Sequence, residues 1–129
     1  MVIKIMASSP TMKSALEYNE KKVSCGEAEV IHTANVDPDL GSFIETLKRY
    51  ERRNFSSKEL SFHMSVNPSK TDGLSEGKAK ELIADIMEGL GFANQPYAIY
   101  RHDDIARKHY HVVSIRTDSN GRKISSRQE

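Results

Sequence analysis

The sequence predicts an α+β fold, a mainly antiparallel sheet with helices packed on one face and a functional surface on the other. Two observations carry this. Stretches alternating with a period of two are interleaved with segments of helical period. The clearest strand, residues 60–67, sets Leu60, Phe62, Met64 and Val66 against Ser61, His63, Ser65 and Asn67. Alternate side chains leave opposite faces of a strand, so one face is apolar and the other polar.

Residues 1–6 (MVIKIM) read as a first strand with Ile3 and Ile5 on one face, and Ser8, Ser9, Pro10 and Thr11 as a loop or helix start. Residues 12–23 are helical, with Leu16 and Tyr18 nearly opposite each other, and residues 30–36 have β character. Asp37-Pro38 is a cap followed by proline at the first helical position. Leu40, Phe43, Ile44, Leu47 and Tyr50 follow at helical spacing, which predicts one amphipathic helix over residues 38–53. After a loop at residues 68–73, Ser75 caps a helix whose stripe is Ala79, Leu82, Ile83, Ile86, Met87 and Leu90, closed by Gly91. Residues 97–101 and 109–115 form a hairpin of strands. A turn follows at residues 118–121, and residues 123–125 begin a short returning strand.

At 129 residues the chain makes one domain with room for a sizeable core. A single cysteine, Cys25, excludes an internal disulfide framework and suits a reducing cytoplasm. The apolar start is interrupted by Lys4 and is too short for a signal peptide or a span, so no membrane insertion is expected. A net charge of +1 does not announce a nucleic-acid binder. From Arg101 onward seven cations face four acidic residues, and Lys48, Arg49, Arg52 and Arg53 form a second cluster. An ordinary solvated surface accounts for either equally well.

Chemistry concentrates in residues 100–115, YRHDDIARKHYHVVSI, which hold three of the five histidines. On a strand His109 and His111 project from one face and Tyr110 from the other. His102, at the end of the neighbouring strand, can come round to meet them. Three imidazoles beside a carboxylate leave coordination positions open for substrate or water, as a catalytic metal requires. The plain alternative is chance clustering, or hydrogen bonding within a turn. His63 stands on the polar face beside Ser65 and could border the site; His32 has no partner in sequence. Both are read as structural. Tyr97, Tyr100 and Tyr110 are expected as sheet packing and Tyr50 as core. Tyr18 stands among Glu17, Asn19, Glu20, Lys21 and Lys22, which leaves its phenol exposed, with a catalytic part only if a metal centre needs a nucleophile.

His102-Asp103-Asp104 followed by His109-Tyr110-His111-Val112-Val113 resembles the His-x-Asp…His-x-His motif of relaxases, the mobilisation nucleases of conjugative elements within the HUH endonuclease superfamily. SALEYNEKKV resembles the segment carrying their nucleophilic tyrosine. FHMSVNPS resembles their middle motif, a strand ending in a serine- or asparagine-rich turn that contacts DNA. GFANQPYAIYRHDD and GRKI also fit the pattern, so the similarity covers most of the chain. Replication initiators and small transposases place the tyrosine after the histidines. Here Tyr18 precedes them, and no tyrosine follows Tyr110.

The resemblance implies an HUH-type sheet that nicks and rejoins single-stranded DNA at a transfer origin. Tyr18 would be the nucleophile, and His102, His109 and His111 the metal ligands. Asp104, or failing that Asp103, would orient a histidine ring. Ser65, Asn67, Arg101, Arg107, Lys108 and Arg116 would contact DNA. The family is associated with Mg²⁺ or Mn²⁺, whereas an all-imidazole set suits Mn²⁺, Zn²⁺ or Ni²⁺ better than Mg²⁺. No small-molecule cofactor is expected. Partners would be single-stranded DNA, accessory mobilisation proteins and a coupling protein, in a bacterial cytoplasm. Relaxase domains are usually longer, so residues 1–129 are expected to be the N-terminal catalytic domain, cut short at its C-terminus and impaired in activity. Two other readings compete: a non-catalytic module that stacks single strands on its sheet, and a three-histidine hydrolase that activates water and ignores Tyr18.

Overall fold

A computed structural model describes residues 1–6, 13–54, 60–69, 71–103 and 108–124. The described elements run β1 (Val2–Ile5), α1 (Lys13–Ser24), β2 (Ala28–Ala34), α2 (Phe43–Glu51), β3 (Ser61–Asn67), α3 (Glu76–Gly89), β4 (Tyr97–His102) and β5 (His109–Ile115). The five strands form one sheet in the order β1-β3-β5-β4-β2, and every neighbouring pair is antiparallel. The expected α+β class and antiparallel sheet are therefore present.

Helix placement differs from expectation, because both faces of the sheet are covered. On one face Phe62, Met64, Val66, Tyr97, Ile99, Tyr110 and Val112 pack with Ala79, Ile83 and Met87 of α3. On the other, Leu60, Ala98, Tyr100, Val113 and Ile115 pack with Ala15 and Leu16 of α1 and Phe43 and Leu47 of α2. The reason lies in how the second face is divided along its strands. Val113 pairs with Ala98 and with His63, and Ser61 with Ile115, giving that end enough apolar area to hold two helices. The polar rows follow further along the sheet: Ser65 beside His111, then His102 beside His109.

The helix predicted over residues 38–53 is broken. Pro38–Leu40 is a single 3-10 turn capped by Asp37, and Gly41 then takes φ 120°, in the region that favours glycine. Ser42 restarts the chain as the cap of α2. Its hydroxyl accepts from the Glu45 N–H at 3.2 Å, and the Glu45 carboxylate accepts from the Ser42 N–H at 3.0 Å. This reciprocal capping box outweighs the Asp37-Pro38 start, and Leu40 is left 62% exposed instead of joining the stripe. Strand β2 starts two residues earlier than predicted and carries an irregularity between Val30 and His32. The returning strand is a single bridge between Thr117 and Lys123; Ser125 lies outside the described residues.

Candidate active site

The site is assembled by register. His102 and His109 are direct cross-strand partners at the loop end of the β4–β5 hairpin, and His111 sits one row further in, opposite both Tyr100 and Ser65. One ring nitrogen from each of His102, His109 and His111 lies within 4.8 Å of the others. Their ring centroids are 4.1 to 5.3 Å apart. His102 and His111 are buried and His109 is half-buried. Three converging nitrogen donors on adjacent, fully paired strands suit a divalent cation that keeps open positions for a substrate oxygen.

Tyr18 lies over this cluster. Its ring is 5.9 Å from His102 with the planes 18° apart, 5.8 Å from His111 and 6.2 Å from His63. Helix α1 achieves this through one buried stripe. Ala15, Leu16 and Asn19 face the sheet, and Tyr18, next to that stripe, is left 46% exposed at its border. The Lys22 ammonium stands 5.9 Å from the ring centroid.

Two further residues join the site. His63, expected to be structural though able to border the site, has its Nε2 2.7 Å from Nδ1 of His111. Burial pushes the His63 imidazole pKa below its usual value, which favours the neutral ring. Its place on the polar face of β3 was legible; the pairing that brings it to His111 was not. Asn19 is fully buried, with its Oδ1 2.7 Å from Nε2 of His102. The available signal was its position four residues after Ala15 and three after Leu16, which puts a polar residue on an apolar stripe.

Other expected site residues are distributed differently. The Asp103 carboxylate accepts from Arg101 Nε at 3.2 Å, and so faces away from the histidines. Asp104 and Arg107 lie outside the described residues. Arg101 points to the α3 face and binds Glu29 at 2.7 Å and Glu76 at 3.2 Å as well as Asp103. Arg116 is fully buried, its Nε donating to the Ser61 carbonyl and its guanidinium 5.3 Å from the Phe62 ring. It follows β5 on the Phe62 side, which keeps it away from the site. Lys108 is exposed and, with Ser69, Ser75 and Tyr110, lines a cavity of about 420 Å³ beside the start of α3. Ser65 is buried next to His111, and its hydroxyl accepts from Asn67 Nδ2 at 3.1 Å. His32 is exposed and meets only the edge of Tyr97 among the described rings.

Among the described residues no helix is long and apolar enough to cross a membrane. No curated protein matches the chain. Residues 18–129, from the tyrosine over the histidines onward, match the family model described as relaxase, MobA/VirD2-like, nuclease domain. With three converging histidines on a five-stranded antiparallel sheet and that match across most of its length, the chain belongs to the relaxase family of MobA/VirD2-like nuclease domains.

Proposed function

We propose that this domain nicks and rejoins one DNA strand at a transfer origin, with Tyr18 as nucleophile and His102, His109 and His111 as ligands of a divalent cation. The observation that carries the proposal is the Tyr18 ring poised over that histidine cluster. In the forward step the phenolic oxygen of Tyr18 attacks a backbone phosphorus and gives up its proton. A tyrosyl O–P bond forms as the bond from phosphorus to the 3′ oxygen breaks, and that oxygen leaves as a hydroxyl after taking up a proton. The product is a 5′-phosphotyrosine and a 3′-hydroxyl end. Rejoining runs the same step in reverse, because the ester linkage is conserved.

When bound, the cation polarises a non-bridging phosphate oxygen and stabilises the charge that builds there. The donor set favours Mn²⁺, Zn²⁺ or Ni²⁺, while the family association is with Mg²⁺ or Mn²⁺. The protein's own contribution is placement. Paired strands hold the three rings, and α1 brings the phenol above them. Ser65 and Asn67, in the last part of β3, and Lys108, the residue before β5, would contact a strand of DNA. Asp104 remains the carboxylate assigned to orient a histidine, and the working partners would be accessory mobilisation and coupling proteins in the bacterial cytoplasm.

The test is incubation with labelled single-stranded origin DNA and Mn²⁺. A covalent protein–DNA adduct is expected with the wild type and none with Tyr18→Phe. Cleavage that survives Tyr18→Phe without an adduct would replace the proposal with hydrolysis by activated water. Binding without cleavage would leave a single-strand binding module.

A further inference from the structure

A fully buried primary amide is costly unless its polar atoms are bonded, and the bonds of Asn19 also decide where neighbouring protons sit. Its Nδ2 donates to the Ala15 carbonyl at 2.9 Å, which fixes which end of the amide faces the histidines. Its Oδ1 therefore faces Nε2 of His102 at 2.7 Å. An amide oxygen only accepts, so the proton of His102 must be on Nε2, and Nδ1 is the nitrogen that keeps a lone pair. The same amide nitrogen approaches Nε2 of His63 at 3.5 Å. That contact is long, but two N–H groups facing each other there would repel, so Nε2 of His63 is the acceptor. The proton in the 2.7 Å contact between His63 and His111 then belongs to Nδ1 of His111, and Nε2 of His111 keeps the lone pair.

We propose that Asn19 and His63 are positioning residues that set the tautomers of His102 and His111, Asn19 directly and His63 as a relay. This rests on the reading of the three histidines as a metal centre. It also links that centre to the nucleophile, since Asn19 is the residue after Tyr18 on α1. Partners behind ligating imidazoles typically change metal affinity by about 10- to 100-fold when removed.

The test uses metal-free protein labelled with ¹⁵N at histidine, where long-range ¹H–¹⁵N spectra report the tautomer of each ring, together with Mn²⁺ titration. The wild type is expected to show His102 protonated on Nε2 and His111 on Nδ1. Asn19→Asp keeps the acceptor for His102 but loses the amide donor, so His102 should hold its tautomer while His111 becomes mixed. Asn19→Leu and His63→Leu should weaken Mn²⁺ binding by about 10- to 100-fold while His109→Ala and His111→Ala abolish it. Reversed tautomers in the wild type would overturn the inference even if every variant at Asn19 failed to fold. So would a folded Asn19→Leu protein with unchanged tautomers and Mn²⁺ affinity. Mn²⁺ binding equal in the wild type and His111→Ala would overturn the metal-centre reading itself, and this inference with it.

Discussion

The rings of Tyr18 and His102 are nearly parallel, 18° between planes and 5.9 Å between centroids, although they come from a helix and a strand more than eighty residues apart. The phenyl group makes this contact; the hydroxyl is not needed for it. Tyr18→Phe should therefore leave the melting temperature and Mn²⁺ affinity at wild-type values while removing the DNA adduct. A Phe variant that also lost metal affinity would show that the hydroxyl helps build the centre.

Metal binding should be visible as stability. A ligand that binds only the native state at a hundred times its Kd adds about 2.7 kcal/mol. Thermal melts with saturating Mn²⁺ should rise for the wild type, return to baseline with chelator, and show no metal-dependent shift in His109→Ala or His111→Ala.

Arg101 ties Glu29 of β2, Glu76 of α3 and Asp103 into one cluster. These pairs are partly exposed, so screening limits their value. Arg101→Ala should cost about 1 kcal/mol in low salt and less at high salt, read from urea midpoints. A loss of DNA affinity larger than the loss of stability would give this guanidinium a part in DNA binding.

The capping box makes α2 sensitive to acid. The backbone and hydroxyl of Ser42 hold the Glu45 carboxyl below its usual pKa of 4.5. The folded state thus takes up the proton less readily than the unfolded one. The contribution is full above about pH 4.5 and is lost as pH falls through the depressed folded value. The difference in urea midpoint between the wild type and Glu45→Gln should shrink over that range. Ser42→Ala should cost about 1 kcal/mol at neutral pH.

Gly121 has φ 82°, and a β-carbon on it would lie 2.6 Å from the Arg53 carbonyl oxygen. Asn54 Nδ2 donates to the Gly121 carbonyl at 3.0 Å, so neither backbone can move away without losing this bond. Gly121→Ala should destabilise by about 2 kcal/mol, measured by chemical denaturation.

The residues that sequence located best are those whose relation is local. His109 and His111 share a face because strand side chains alternate, and His102 joins them because a hairpin brings its ends together. The ring contact of His63 depends on Ser65 pairing with His111 across two strands far apart in the chain, and no local pattern encodes that register. Polar residues on one side of β3 read as a polar face of the functional surface, and Ser61 and Ser65 on it are buried. Asn19 stands at an apolar position of α1, but only the packing of that helix on the sheet gives its amide a partner. Around Pro38 the local signals compete, and the Ser42–Glu45 pair prevails over a proline start that on its own looks stronger.

The strand order divides the domain mechanically. β5, carrying His109 and His111, is the centre of five strands, with two more on either side to brace it. Tyr18 rides on α1, which is held to that sheet along a single stripe of side chains. A DNA end joined to Tyr18, as proposed, and pulled during transfer would load the helix first, and the load would reach β4 through the Asn19 amide on His102. The proposed anchor for the DNA and the proposed frame for the metal would thus be separate elements joined at the Asn19–His102 contact.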